Sequence, residues 1–278
     1  MAVDLHLHSN CSDGSLTPQE IVTGAVAAGL TAMALTDHDT LEGLAAAAAS
    51  ARQQSIQFVG GTELSVLWRE QSMHMLVYFL DPEPGPLQDR MEELRQSRPQ
   101  RNHQIAARLQ GLGLSVTIEE VVAEAGGGVT GRPHFAGVLI RKGYVANVPE
   151  AFDRYLAAGR PGYVDRQRLT AREAIELSRK SGAVPVIAHP HTLNLRAEEF
   201  ASGFGELVEI GLGGIEAYYG EYTPQMRSRI AAICSDLGIV ATGGSDYHGR
   251  YKPHLEIGTG KGDLRVPDEA FASLVEAR

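Results

Sequence analysis

The segment DLHLH at residues 4–8 constrains the fold of this chain more than any other stretch. Its alternation of polar and apolar side chains has the two-residue period of a strand, which places His6 and His8 on one face. A polar turn follows, and its Asp13 can bring a carboxylate back over the strand end. The next residues, TPQE at 17–20, match a capping box with proline in the first helical turn. The opening is therefore predicted to be a β-loop-α unit whose strand ends in metal-binding side chains.

The β-loop-α pattern recurs in both flanks of the chain. Short apolar runs typical of buried strands occupy residues 31–36, 56–59, 184–188, 214–218 and 239–242. Helical segments follow several of them, as expected for a parallel sheet or barrel of the α/β class. In such folds, functional residues collect at the carboxyl ends of the strands. The length of 278 residues is enough for one such barrel or for two ordinary domains.

Histidines and acids collect at the predicted strand ends. A single histidine there is more often a hydrogen-bonded structural residue, but so many at one end of one sheet predict a metal centre. These N and O ligands would suffice for about two to three divalent ions, with positions left for water and substrate. Since no cysteine stands among them, manganese, zinc or iron of a hydrolytic site is favoured over structural zinc. The candidate ligands are His6, His8, Asp13, His38, Glu63, His74, His189, Asp246 and His248.

The composition argues against several classes of protein. Acidic residues outnumber basic residues 34 to 25, so the formal net charge is −9 and a broad electrostatic surface for nucleic acid is not expected. Two cysteines do not make a disulfide framework, and neither a signal peptide nor a membrane-spanning run is evident. We therefore expect a cytoplasmic protein with no membrane association and no obligate protein partner.

Residues 98–166 break the strand pattern and are predicted to form a small helical insertion domain, while 1–97 and 167–278 form the barrel. Polar and basic side chains at a predicted helix start favour anions. Arg132 and His134 provide similar cationic or hydrogen-bonding side chains at a second predicted helix start, after the glycine run 126–128. A solvated helix face remains the alternative for any one of them. The candidate substrate contacts are Asp13 in the barrel and Arg101, Asn102, His103, Arg132 and His134 in the insertion.

Six motifs in order, HxH, TDHD, GxE, a central histidine, AHP and GSDYH, resemble those of the PHP family, named for polymerase and histidinol phosphatase. The similarity covers about residues 1–80 and 167–250. It implies a distorted (β/α)7 barrel with a trinuclear metal centre. Many relatives carry histidine where this chain has Asp13. The resemblance implies one metal on His6, His8, Glu63 and Asp246, a second on Glu63, His74 and His189, and a third on Asp13, His38 and His248.

The insertion resembles that of the PHP subgroup of nucleoside 3′,5′-bisphosphate phosphatases and 5′–3′ exoribonucleases. This implies a phosphoesterase that uses divalent metals, with Mn²⁺ expected first and Zn²⁺ or Fe²⁺ as alternatives. Its substrates would be nucleotides and short 5′-phosphorylated RNA or DNA, with Arg101 and His134 clamping the phosphate that is not cleaved. Asp246, His248 and Glu63 are expected to act in the chemical step, where Asp246 or a displaced histidine could pass a proton to the leaving oxygen.

Other interpretations remain open. Histidinol phosphate is an alternative substrate, and a metal-binding domain serving a larger polymerase is the alternative without catalysis. A cysteine phosphatase is disfavoured because no arginine stands six residues after Cys11. An aspartyl phosphatase is disfavoured because Leu41 stands where threonine or valine is expected after Asp37. Asp37 and Asp39 are therefore interpreted as orienting ligand histidines. Trp68 and Tyr219 could stack on a base, although core packing is the more common role.

Overall fold

The structure is a computed structural model that describes residues 2–125, 130–196 and 199–278. The strands are β1 (Val3–Asp4), β2 (Ala32–Leu35), β3 (Gln57–Trp68), β4 (Gln71–Tyr78), β5 (Val184–Ile187), β6 (Gly214–Tyr219) and β7 (Val240–Gly244). The α-helices are α1 (Pro18–Ala27), α2 (Leu44–Gln54), α3 (Pro86–Gly111), α4 (Ile118–Glu124), α5 (Arg132–Arg141), α6 (Val148–Ala151), α7 (Ala171–Lys180), α8 (Phe200–Glu209), α9 (Pro224–Leu237) and α10 (Asp268–Glu276).

The seven strands form one nearly closed barrel in which each strand pairs with the next along the chain. β1 to β3 are parallel, β4 runs antiparallel to both β3 and β5, and β5 to β7 are parallel again. The seam between β1 and β7 is joined by backbone bonds from Leu5 to Gly243 (3.0 Å), Asp246 to His6 (2.9 Å) and His8 to Tyr247 (3.2 Å). The predicted distorted seven-stranded barrel is confirmed, with β4 as the source of the distortion.

Strand β2 illustrates why the parallel strands read as apolar runs. Met33 and Leu35 are fully buried in a cluster with residues of α1 and α2. Ala32 and Ala34 are buried in another cluster that includes Tyr78 of β4. When both faces of a strand are covered, all of its side chains are buried. Polar and apolar residues then do not alternate, and the sequence is continuously hydrophobic. At the start of α1, Glu20 and Thr17 form the predicted capping box.

Strand β3 is longer than the sequence predicts, and this changes the setting of Glu63. Its parallel pairing with β2 ends at Gly60, but antiparallel pairing with β4 continues from Gly61 to Trp68. Gly61 allows this continuation because a Cβ there would press on the carbonyl oxygen of Val77. Glu63 therefore lies inside a strand and not at a strand tip as predicted. On its other side it pairs in parallel with His38, in the segment after β2.

Pro99 predicts two helices, at about residues 86–97 and 99–112. This prediction is wrong, because α3 runs from Pro86 through Pro99 to Gly111. Proline removes a helical N–H, which normally kinks or ends a helix. Buried side chains secure α3 on both sides of Pro99: Leu87 is fully buried before it, and Ile105 and Leu109 are fully buried after it. Packing of the two ends thus outweighs the local preference of proline.

The chain divides into two compact units, Met1–Met91 with Arg168–Arg278, and Glu92–Gln167. The predicted insertion, 98–166, falls within the second unit. The described residues of this unit form helices around their own core, to which Ile105, Leu109, Phe135, Leu139 and Leu156 contribute. The glycine run 126–128 lies outside the described residues. None of the helices in the described ranges combines the length and hydropathy that a bilayer crossing requires.

We predict that Gly244→Ala destabilises the barrel by about 1–3 kcal/mol, as overpacking typically does. A methyl group at Gly244 would overlap the backbone nitrogen and Cβ of His6 across the seam of β1 and β7. Gly205 in α8 is the matched control, because a Cβ there would meet no heavy atom within 4 Å. Urea unfolding of both variants checks this: Gly205→Ala should be neutral or slightly stabilising, and equal stabilities would contradict the account.

Candidate metal centre

The structure brings the nine predicted ligand residues to one end of the barrel. Eight of them form three groups, and within each group the ligand atoms all lie within 4.8 Å of one another. His189 lies beside these groups, with its Nε2 2.8 Å from Oε1 of Glu63. The groups are His6, His8, Glu63 and Asp246; then His38, Glu63 and His74; and then His8, Asp13, His38 and His248.

The first group has the spacing of a coordination polyhedron. Nε2 of His6 lies 3.0 Å from Nε2 of His8, and each lies 3.1 Å from Oε2 of Glu63. Oδ1 of Asp246 lies 3.6 Å from the first imidazole and 3.4 Å from the second. Donor atoms bound to one divalent ion at about 2.1 Å are separated by about 3.0–3.4 Å. The four residues therefore fit a divalent metal.

Glu63 presents its two carboxylate oxygens to different histidines. Oε2 faces His6, His8 and, at 3.3 Å, Nε2 of His38. Oε1 lies 2.8 Å from Nδ1 of His74 and 2.8 Å from Nε2 of His189. A carboxylate placed in this way can bridge two metal ions. The side chain is 1% exposed, so its charge cannot be balanced by solvent.

Asp13 completes the third group from the loop after β1. Its Oδ1 lies 3.1 Å from Nε2 of His248 and 3.6 Å from Nδ1 of His8, and its Oδ2 lies 3.7 Å from Nε2 of His38. Nδ1 of His8 and Nδ1 of His189 are buried without a hydrogen-bond partner among the described residues. Such buried nitrogen atoms are expected where an ion takes the place of a protein partner.

Mutual electrostatics bind the cluster together. Burial alone would raise the pKa of Glu63, but the positive charges of His38, His6 and His74 hold that pKa well below its usual value. Burial lowers the pKa of His8, but hydrogen bonds to Asp246 and Glu63 outweigh it and raise the pKa to about 9. The pKa of His6 is also raised, so protons on these two imidazoles help to balance the buried carboxylates, and bound metal ions would displace them.

Glu216 on β6 was assigned no role from the sequence, yet it orients two of the candidate ligands. Its Oε1 accepts a hydrogen bond from Nδ1 of His6 at 2.8 Å. Its Oε2 accepts one from the backbone N–H of His189 at 2.8 Å. The first bond fixes the imidazole of His6 with Nε2 toward the centre. An acidic residue within the apolar strand run 214–218 is the sequence signal that could have identified it. In the structure Glu216 is fully buried.

Two further acids hold the backbone around the centre. Oδ1 of Asp4 accepts from the N–H of Ser245 at 2.9 Å, beside Asp246. Asp37 accepts from the N–H and hydroxyl of Ser9 and from the hydroxyl of Ser12, at 2.6–2.7 Å. The interpretation of Asp37 as an orienter of a histidine is therefore wrong. It instead orders the loop that carries Asp13.

Two ligand residues have backbones in the left-handed region. His189 has φ 25° and Asp246 has φ 56°, values that non-glycine residues seldom adopt. Surrounding bonds hold them there: the N–H of His189 donates to Glu216, and the N–H of Asp246 donates to the carbonyl of His6. Such strain is typical of functional sites whose surroundings fix the geometry.

The aromatic residues considered for stacking on a base have other roles. The ring of Trp68 is buried, with its centroid 5.4 Å from that of Phe204. Tyr219 is also buried, and its hydroxyl donates to Oδ2 of Asp246 at 2.8 Å. Oδ2 of Asp246 also lies 2.6 Å from Nζ of Lys252. Asp246 is thus left with Oδ1 facing the histidines.

Within the second unit, Arg101 and Arg132 are electrostatic neighbours of Arg166. Burial, followed by the charges of Arg132 and Arg166, lowers the pKa of Arg101 to about 10. Nε of Arg101 donates to the carbonyl of Val164 at 3.1 Å, and the guanidinium of Arg132 lies 5.3 Å from the ring centroid of Tyr163. The unit therefore concentrates positive charge in a chain that is acidic as a whole.

The other candidates of the second unit differ in exposure. Asn102 is 3% exposed, and its Nδ2 donates to the carbonyl of Thr130 at 3.0 Å. His103 is exposed. His134 is partly buried, and its Nδ1 accepts from the N–H of Gly131 at 3.0 Å, which caps α5. The cap was not foreseen from the sequence, and it leaves Nε2 of His134 for other contacts.

Comparison with known proteins places the chain among phosphoesterases. The family described as PHP domain matches residues 4–113. A 3′,5′-nucleoside bisphosphate phosphatase of Chromobacterium violaceum is 32% identical over 257 residues, which covers 92% of this chain and 90% of that protein. The 5′-3′ exoribonuclease Rnm of Escherichia coli is 31% identical over 261 residues, covering 92% and 87%. A solved structure of a candidate metal-dependent phosphoesterase from Bifidobacterium adolescentis gives a TM-score of 0.77 at 27% identity, covering 99% and 96%.

We predict that the protein purified without chelator carries about two to three transition-metal ions per chain, and that Glu63→Ala loses more than one of them. The reason is that one carboxylate faces two sets of histidines. Elemental analysis of both proteins checks this, with Glu221→Ala on the protein surface as the control. Fewer than one ion per chain in metal-replete wild type would contradict a multinuclear centre.

Proposed function

The chain belongs to the PHP family, and from this premise we propose that it removes the 3′-phosphate of nucleoside 3′,5′-bisphosphates, leaving the 5′-monophosphate. The observation that carries the proposal is the metal centre in a chain that aligns over 92% of its length with a 3′,5′-nucleoside bisphosphate phosphatase. The family is one of metal-dependent hydrolases, so phosphoester hydrolysis is the established part. The bisphosphate is the proposed part.

The nine residues at the barrel end would hold two to three divalent ions. We propose Mn²⁺ first, which carboxylate oxygens suit, with Zn²⁺ or Fe²⁺, which imidazole suits, as the alternatives. Such ions supply Lewis-acid stabilisation of phosphate oxygens and activate water for attack on phosphorus. The chain itself orders the ligands, since Glu216 fixes His6 and His189 while Asp37 fixes the loop of Asp13. A centre ordered before substrate arrives loses little free energy to reorganisation.

Of the residues expected in the chemical step, His248 suits proton transfer to the leaving oxygen better than Asp246. Oδ2 of Asp246 already accepts from Tyr219 and Lys252. Burial would raise the pKa of Asp246, but His6 and His8 hold it well below its usual value, so the carboxylate stays ionised. Nε2 of His248 lies 3.1 Å from Oδ1 of Asp13, whose side chain is 55% exposed, and His248 would carry the proton when it is displaced from its metal. Glu63 would be a ligand that two metal ions share.

The helical unit would recognise the phosphate that is not hydrolysed. Burial, and after it the charges of Arg132 and Arg166, disfavours the charged form of Arg101 and lowers its pKa to about 10. A phosphate dianion would relieve this repulsion and accept charge-assisted hydrogen bonds. We assign the 5′-phosphate to Arg101, Arg132 and His134. The nucleoside would contact Asn102 and His103.

Exonucleolytic hydrolysis of 5′-phosphorylated oligonucleotides is a second candidate activity. The observation that favours it is 31% identity with the 5′-3′ exoribonuclease Rnm over 92% of the chain. The first internucleotide phosphate of such a strand is the substituted equivalent of the 3′-phosphate. The net charge of −9 would limit affinity for long strands, so short RNA or DNA is the expected polymer.

We predict that the Mn²⁺-loaded protein converts adenosine 3′,5′-bisphosphate to the 5′-monophosphate and inorganic phosphate. Adenosine 3′-monophosphate should be a poor substrate, because it lacks the phosphate that the arginines bind. Phosphate release and nucleotide chromatography measure both reactions. Efficient hydrolysis of histidinol phosphate with an untouched bisphosphate would refute the substrate while leaving the chemistry in place.

We also predict that Arg101→Ala lowers kcat/KM for the bisphosphate by about 10- to 100-fold, the value of a lost charge-assisted contact. His134→Gln should act in the same direction while keeping an acceptor for the N–H of Gly131. Metal content and hydrolysis of a simple aryl phosphate should stay unchanged. Arg141→Ala is the control, since this arginine pairs with Glu124 on the surface of the same unit. Equal losses on both substrates would show that Arg101 acts in folding or in the chemical step.

A further inference from the structure

Lys252 brings a positive charge directly to the metal centre. Its Nζ lies 2.6 Å from Oδ2 of Asp246, the carboxylate whose Oδ1 faces His6 and His8. The lysine side chain is 32% exposed, whereas that of Asp246 is 4% exposed. The ammonium therefore lies at the boundary between the buried ligands and solvent.

The backbone around Lys252 is well fixed. A 3-10 turn, Gly249–Tyr251, follows β7, and the N–H of Lys252 donates to the carbonyl of Gly249 at 3.1 Å. The carbonyl of Lys252 accepts from the N–H of Leu255 at 3.0 Å. The turn is bound to the loop of Asp13 through the N–H of Arg250, which donates to Oγ of Ser15 at 3.0 Å. Lys252 thus emerges from an anchored turn and not from a free loop.

We propose that Lys252 binds the phosphate group that is hydrolysed, as a cation supplied by the barrel itself. The inference rests on the proposed phosphatase function and adds a substrate contact to it. An ammonium group has three hydrogen-bond donors, and Asp246 accepts only one of them. One carboxylate separates this ammonium from the ligand atoms of His6 and His8, so a phosphate held at the centre would be within reach of Lys252.

The charge balance supports this role over that of a simple ion pair. With Oδ1 of Asp246 bound to a divalent metal, less negative charge remains on Oδ2 for the ammonium of Lys252. The ammonium of Lys252 would then lie one carboxylate away from a divalent cation that His6, His8, Glu63 and Asp246 would hold. A phosphate dianion supplies the missing negative charge and accepts a charge-assisted hydrogen bond. Substrate and Lys252 therefore stabilise each other in the metal-loaded protein.

The alternative is that Lys252 only positions Asp246. Tyr219 already does so, because its hydroxyl donates to the same Oδ2 at 2.8 Å and carries no charge. Arg227 holds this tyrosine through its carbonyl, at 3.3 Å. If positioning were the whole role, Lys252→Met and Tyr219→Phe would both weaken the metal site and leave phosphate affinity per metal-loaded centre unchanged.

The test compares Lys252→Met, Lys252→Arg and Tyr219→Phe in the full Mn²⁺-loaded chain. Metal content is measured by elemental analysis, and binding of inorganic phosphate by calorimetry. We expect Lys252→Met to keep its metal, to bind phosphate about tenfold more weakly, and to lose about 10- to 100-fold in kcat/KM. Lys252→Arg should recover most of both. Lys261→Met is the matched control, because that lysine pairs with surface Glu221 at 3.0 Å.

Two outcomes would overturn the proposal. One is that Lys252→Met binds phosphate with wild-type affinity. The other is that Lys252→Met loses metal, and loses as much of it as Tyr219→Phe does. Lys252→Gln, with circular dichroism as a check on folding, decides the matter if the methionine variant does not fold. Should the wild-type protein hydrolyse no phosphate ester, the proposed function fails. The phosphate titration of wild type and variants would still decide whether Lys252 binds phosphate.

Discussion

The buried carboxylate of Glu63 is the interaction on which the rest of the site depends. Five imidazoles, contributed from the segment after β1, from the loop after β2, from β4 and from the turn after β5, lie 2.8–3.3 Å from its two oxygens. A buried charge of this kind is costly unless it is fully paired, and a cluster of imidazoles is equally costly without acids. The carboxylate and the imidazoles therefore stabilise each other, and together they form a set of ligands for divalent cations.

Closure of the barrel makes this pairing possible. The seam between β1 and β7 brings Asp246 beside His6 and His8, and Gly244 permits the close approach of the two strands. Buried acids then fix the surroundings: Asp4 holds Ser245 at the seam, and Glu216 joins His6 to His189. Each group of candidate metal ligands draws on more than one β-loop-α unit. The metal centre therefore forms only when distant parts of the chain close the sheet.

The sequence predicted those parts that follow local rules. The two-residue period placed His6 and His8 together, the capping box began α1, and the order of the motifs indicated the barrel. Long-range effects were missed: β3 passes through Glu63 because it pairs with β4, and α3 passes through Pro99 because both of its ends are packed. Glu216 and Lys252 acquire their roles only through contacts with residues distant in sequence or across a turn.

The central claim is that the strand ends gather around metal ions that share Glu63. Diffraction from Mn²⁺-loaded crystals at the manganese absorption edge tests it most directly. The account predicts anomalous peaks about 2.0–2.3 Å from Nε2 of His6 and His8 and from both oxygens of Glu63, with more than one peak per chain. A single peak away from Glu63, or none at full manganese loading, would contradict it.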